Sequence, residues 1–211
     1  MDLDGLSASF QARFDETMAA REAALSASRR AIRSSANAIR AIHRQDFETA
    51  EGLMESARGA LEEARTATAD HPALFFAGYV QDAQKEYAEA RVTEAVVKGE
   101  DLPTPEELGV GDAPYLNGIA EAIGETRRTI LDLLRGGDVG RGEELLGLMD
   151  DLYSLLVTID YPDAITGNLR RSTDVARSIM ERTRGDLSAA LVQKGLSDAL
   201  ERHARELHGE A

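Results

Sequence analysis

The chain has no cysteine, no tryptophan and only five prolines in 211 residues. Without cysteine there can be no disulfide and no thiolate-held metal, and the cytoplasm is the expected compartment. Scarce proline and the near absence of β-branched runs, beside abundant Ala, Leu, Glu and Arg, leave little to build strands from and favour helix throughout. No run of about 18 apolar residues occurs, which argues against a membrane span, and the N-terminus lacks a secretory pattern. Length and even composition predict a single domain over residues 1–211.

Lysine is almost missing as well: Lys85, Lys98 and Lys194 are the only three, so positive charge is nearly all arginine. Against 24 basic residues stand 38 acidic ones, and the formal charge is −14. A uniformly basic surface, the usual partner of phosphate, is thereby excluded; how the charges are distributed matters more than their sum. An acid-rich, lysine-poor composition also fits a halophile's cytosol, where high net charge keeps proteins soluble.

Apolar residues recur with helical period along the chain. Helix one is predicted over residues 7–45, capped by Ser7 or Ser9, and helix two over 46–66. Helix three opens at Asp70, with Pro72 in its first turn, and runs to Gly99. In the link that follows, Thr104 and Glu107 form a capping box for one short turn. Helix four is expected from Pro114 to Arg135, helix five from Gly140 to Asp160, helix six up to Arg184 and helix seven from Asp186 to Leu207. With no period-2 alternation and no internal repeat, the expected fold class is an all-α bundle of about seven helices.

Two chemistries fail on their own requirements. MDLDGL imitates the aspartate nucleophile of haloacid-dehalogenase-type phosphotransferases, but no strand precedes it and no α/β pattern follows. A di-iron carboxylate bundle needs Glu-x-x-His on two helices, and His43, His71, His203 and His208 all lack a glutamate three residues earlier. His43 falls on the apolar side of helix one, where a core or interface residue is expected rather than a ligand.

Helix one carries the clearest basic signal, in RRAIRSSANAIRAIHR. At ~100° per residue, Arg29, Arg33, Arg40 and Arg44 fall within about 60° of arc, with Leu25, Ile32, Ala36, Ile39 and Ile42 on the other side. Hardly any acid interrupts this rail, so it is either a solvated face or a phosphate-binding one. Arg170, Arg177 and Arg184 form a second stripe on helix six, but Asp174 and Glu181 alternate with them, and a ladder of ion pairs is expected there. The acids that draw attention are elsewhere. Glu86 and Glu89 in QKEYAEA stand at i, i+3, and Glu121 and Glu125 in GIAEAIGE at i, i+4, so each pair shares a helix face. Glu86 projects into an apolar stripe between Tyr79, Ala83, Ala90 and Val97, where a carboxylate needs compensation. Two such faces brought together would offer four oxygen donors, the environment Mg²⁺ or Mn²⁺ favours. Acid pairs at these spacings are also common on exposed helices.

The stretches IRSSANAIRAIHR, QKEYAEA, ELGV followed by PYLNGIAEAIGETRR, and LRRSTDVARSIMERTRGDL, in that order, resemble the translin and translin-associated factor X family, and within it the archaeal members similar to factor X. The resemblance implies a seven-helix translin-like fold, a hollow octameric shell and single-stranded RNA or DNA bound on its inner surface. It further implies a homo-oligomer or a hetero-oligomer with a translin-type paralogue. By the same resemblance, Glu86, Glu89, Glu121 and Glu125 would be the metal ligands and catalytic residues of a Mg²⁺- or Mn²⁺-dependent endoribonuclease, and Arg29, Arg33, Arg40 and Arg44 the nucleic-acid rail. Glu121 stands where the catalytic branch often has Asp. Two alternatives stay open at this point: a translin-like binding protein without catalysis, and a structural helical assembly protein.

Overall fold

A computed structural model describes residues 2–208, with side chains up to Arg205. Among the described residues there are six long helices, three single helical turns and no strand, which agrees with the all-α expectation. The long helices are α1 (Leu3–His43), α2 (Phe47–Ala67), α4 (Gly78–Lys98), α6 (Asp112–Arg135), α7 (Val139–Val157) and α9 (Leu169–His208). The turns are α3 (Pro72–Phe75), α5 (Pro105–Leu108) and α8 (Asp163–Thr166).

Local chemistry accounts for most boundaries. Asp46 caps α2 by accepting from the Thr49 amide at 3.2 Å, and the Thr104–Glu107 capping box closes α5 in both directions. α4 stops at Gly99, whose φ of 74° is left-handed. Three expectations are corrected. Helix one starts at Leu3 rather than near residue 7, because the Asp2 carboxylate takes the Gly5 amide at 2.8 Å and caps it sooner than Ser7 or Ser9. The expected third helix is interrupted at Ala77, which is extended just before Gly78; its opening turn is capped by His71 without a side-chain bond, and Asp70 does not serve. Helices six and seven are one: α9 continues through Gly185. A single interior glycine costs only ~1 kcal/mol, and its neighbours Thr183 and Leu187 are buried.

The core forms where small residues let helices approach. α1 presents Ala24, Ala27, Ala31, Ser35 and Ala38 to α2 and α4, and α2 answers with Ala50, Ala57, Ala60 and Ala64. α6 lies between α4 on one side and α7 and α9 on the other, burying Ile119, Ile123 and Ile130. At its start the buried Asn117 ties in the α8–α9 junction: its amide donates to the Thr166 carbonyl at 2.8 Å and its carbonyl accepts from Ser172 Oγ at 2.7 Å. The first half of α1 and the last half of α9 instead show apolar side chains to solvent: Leu6, Phe10, Phe14 and Met18 on one, Val192, Leu196 and Leu200 on the other. No helix among the described residues is long and apolar enough to cross a membrane.

At Gly118 α6 lies directly against the backbone of α4. A β-carbon there would stand 2.9 Å from Ala88 Cβ, from the Glu89 nitrogen and from the Lys85 carbonyl oxygen. Two of these are backbone atoms, which cannot swing aside. Gly118→Ala is therefore expected to destabilise the fold by about 1–3 kcal/mol through overpacking, measured by urea denaturation. Gly124→Ala on the same helix, where the nearest atom is Ile179 Cδ1 at 3.7 Å, is expected to be neutral or stabilising by up to about 1 kcal/mol.

Candidate metal centre

The backbone contact at Gly118 faces the Lys85–Glu89 turn of α4, and Glu121 is three residues further along α6. The crossing thereby brings carboxylates from two helices together: one oxygen each of Glu86, Glu89 and Glu121 lie within 4.8 Å of one another. Glu89 is the buried member, 8% exposed, whereas Glu86 is half-buried. The sequence stripe had pointed to Glu86 as the anomaly; the tight α4–α6 crossing moves that distinction to Glu89.

Like charges in a poorly solvated place resist ionisation. Burial, reinforced by the charges of Glu121, Glu86 and Glu125, pushes the Glu89 carboxyl up to about 9. Burial also raises Glu86, with Glu121 adding to the rise and Lys85 opposing it. Lys85 sits inside the cluster, its Nζ 2.7 Å from Glu121 Oε1 and 3.6 Å from Glu86 Oε1. Its own burial would lower its pKa, but the bond to Glu121 and the charges of Glu121 and Glu86 hold it above the ordinary lysine value. Not every acid of α4 is strained in this way. Glu94 is buried too, but Lys98 Nζ at 2.7 Å and Arg91 at 3.3 Å neutralise it.

Glu125, the fourth expected ligand, is not among the three. Its Oε2 lies 2.5 Å from His43 Nε2, and the imidazole is almost wholly buried. That bond, against the effect of burial, holds Glu125 below the usual glutamate range, with the Arg128 charge helping. His43 is thus a core-facing residue as expected, and also the partner that fixes Glu125. The oxygen-only donor set of Glu86, Glu89 and Glu121 fits a hard divalent cation such as Mg²⁺ or Mn²⁺.

Arg29, Arg33, Arg40 and Arg44 are all exposed on α1. Among the described residues none of the four forms a salt bridge; Arg40 donates to Asn37 Oδ1 at 2.7 Å. Arg40 and Arg44 flank His43 in sequence, so the rail ends beside the Glu125 side of the centre. The α9 stripe behaves as ion pairs, though mostly across elements: Arg170 meets Asp160, Arg184 meets Asp150, and Arg177 meets Asp174 within the helix.

No family model matches the chain. An uncharacterized protein of Methanocaldococcus jannaschii is 31% identical over 183 residues, covering 86% of this chain and 81% of its own. The structure of AfC3PO in complex with duplex RNA superposes with a TM-score of 0.81 at 34% identity, over 92% of this chain and 98% of that one. The chain belongs to the translin and factor X family. A second AfC3PO crystal structure agrees, with a TM-score of 0.77 at 33% identity over the same shares of the two chains. Apo-NeC3PO, at 22% identity, shares the fold with a TM-score of 0.76, over 90% of this chain and 97% of its own.

Four residues of this translin-family centre escape a reading by periodicity alone. Gly118 sets the crossing, Lys85 enters the cluster, His43 holds Glu125, and the exposed Arg128 biases Glu125 from one turn away. The run GIAEAIGE did carry a signal for the first, since a glycine inside a helical pattern marks close packing.

A carboxyl raised in the folded state binds its proton more tightly there than when unfolded, so stability falls as pH rises between the two values. For Glu89 that window runs from about 4.5 to about 9. Metal-free Glu89→Gln is therefore expected to melt a few degrees above wild type at pH 8, at roughly 2–4 °C per kcal/mol, and to converge with it near pH 5. Scanning calorimetry across that range, in the presence of a chelator, checks both ends.

Proposed function

We propose that the protein is a divalent-metal-dependent endoribonuclease, acting on single-stranded RNA within an oligomeric shell of its own copies. The observation that carries this is the convergence of Glu86, Glu89 and Glu121 from two helices onto one point, at the cost of a Glu89 carboxyl pushed up to about 9. A structural role would not call for such an arrangement; replacement by apolar side chains would be more stable. A bound Mg²⁺ or Mn²⁺ would polarise the scissile phosphate and lower the pKa of an attacking water. Glu86, Glu89 and Glu121 would hold that ion, Glu89 giving up its proton as it does so. Glu125, oriented by His43, would stand beside them to accept the proton of the water. The Arg29, Arg33, Arg40 and Arg44 rail would track the strand, and Arg128 would add a charge next to Glu125.

The shell is supported by the apolar rows left open on α1 and α9, which suit a partner surface, and by membership of the translin and factor X family. An inward-facing rail would also reconcile RNA binding with a charge of −14, because the acidic outside would never meet the strand. The relative AfC3PO was captured with duplex RNA, so both strandedness classes belong in the assay. A binding role without catalysis is favoured by one observation: Lys85 already neutralises Glu121.

Labelled single-stranded and duplex RNA, incubated with purified protein with and without Mg²⁺ or Mn²⁺, separates the two roles. Wild type is expected to cut single strands only with metal. Glu86→Gln and Glu89→Gln are expected to lose cleavage by at least about 100-fold while still binding RNA; cleavage at the wild-type rate by both variants would refute the assignment, and no cutting by wild type with any divalent ion would leave the binding role. Arg33→Glu with Arg40→Glu should weaken RNA binding and lower the slope of log K against log salt by up to about 1.4 for a single strand, with the light-scattering mass unchanged. Light scattering should give several times 22.8 kDa for all these proteins; a monomer at micromolar concentration in molar KCl would remove the shell.

A further inference from the structure

We propose that Lys85 is an exchangeable counter-ion of the carboxylate cluster: it holds Glu121 while the centre is empty of metal, yields it to an incoming divalent cation, and then serves as a phosphate-binding group for RNA. This rests on the metal-dependent reading above and adds a second ligand-binding group to it.

The geometry favours exchange. The ammonium is 2.7 Å from Glu121 Oε1 and 3.6 Å from Glu86 Oε1, so it already occupies two of the three carboxylates of the cluster. A divalent ion held by these carboxylates would compete with the ammonium for them, and like charges brought that close repel at a protein's effective dielectric. The ammonium, on a flexible stem, is the cation that gives way. Lysine is suited to this: it is a point charge on a flexible four-carbon stem, whereas arginine would hold a carboxylate through a rigid fork. In a chain whose positive charge is almost all arginine, one of only three lysines occupies this position.

There is also somewhere for it to go. Lys85 and Glu121 both line an open cleft of about 780 Å³, whose walls also include Asp82, Asn168, Ser172 and Phe76. The backbone of Lys85 is pinned against Gly118, so only the side chain moves. Asp82, one turn earlier on α4, is exposed and already acts on the Lys85 charge, which gives the displaced ammonium a resting partner in the cleft. A phosphate drawn to the metal would replace Asp82 as the partner of the ammonium. Metal and RNA would therefore promote one another's binding, and the coupling would be reciprocal.

Two measurements on the purified full chain test this. Mn²⁺ titration by calorimetry reads the exchange without any catalysis. Lys85→Met frees Glu121 and is expected to bind Mn²⁺ roughly tenfold more tightly than wild type, whereas Lys85→Arg keeps the charge, holds Glu121 more firmly and is expected to bind roughly tenfold more weakly. Fluorescence anisotropy with a phosphorothioate single-stranded RNA, with and without Mn²⁺, reads the second role. The gain in RNA affinity that Mn²⁺ confers on wild type is expected to shrink by about tenfold in Lys85→Met. The opposite shifts in the two variants separate exchange from a merely structural lysine, since a loosened site would weaken Mn²⁺ binding in both. Unchanged or weaker Mn²⁺ binding by Lys85→Met, or an undiminished gain in RNA affinity, would overturn the proposal and leave the metal-dependent reading standing. Failure of wild type to bind Mn²⁺ at millimolar concentration would overturn both.

Discussion

The α4–α6 contact at Gly118 is the constraint on which the centre depends. Side-chain packing usually separates helix axes by 8–10 Å. A residue without a β-carbon, resting on backbone atoms of the facing helix, permits the near end of that range. Only then do glutamates reaching out from both helices share a point instead of facing separate patches of water. The energetic consequence is a set of like charges assembled by apolar packing, held together because Ile119, Ile123 and their neighbours gain more by burial than the carboxylates lose. The fold supplies the force, and the site stores part of it as electrostatic strain.

How that strain is handled differs by residue. Glu94 is given two cations, Glu125 an imidazole, and Glu121 the Lys85 ammonium, while Glu89 is left to keep a proton. The first arrangement is complete and structural. The last is incomplete in a way that favours an added cation, and it lies where the bare arginines of α1 run out. Charge summed over the chain conveys none of this, because most of the net −14 belongs to the acid-rich remainder of the chain and hides the local imbalance of the centre.

The all-α class, the α5 capping box and the ends at Asp46 and Gly99 were legible in the sequence because they depend on residues within four positions of one another. So was the shared face of each glutamate pair. What could not be read locally was set by packing. The continuity of α9 through Gly185 depends on its burial against α6 and α7, and the ranking of Glu89 over Glu86 depends on which of two adjacent helix faces α6 covers. Likewise His43 could be placed in the core by periodicity, but the chain-distant Glu125 at its Nε2 could not. The resemblance to the translin and factor X family grouped the four glutamates; it did not separate the three that converge from the one that is held apart.

The open apolar rows on the first half of α1 and the last half of α9 have a consequence for what counts as the folded state. An isolated helical segment keeps its shape mainly through what covers its apolar face, and among the described residues Phe14, Met18, Leu196 and Leu200 stay largely exposed. In the proposed shell the order of these segments would be governed by mass action as well as by sequence. Dilution would then act as a denaturant for roughly the outer half of each of the two longest helices, while the Gly118 crossing and the carboxylates beside it, packed wholly within one chain, would be indifferent to it.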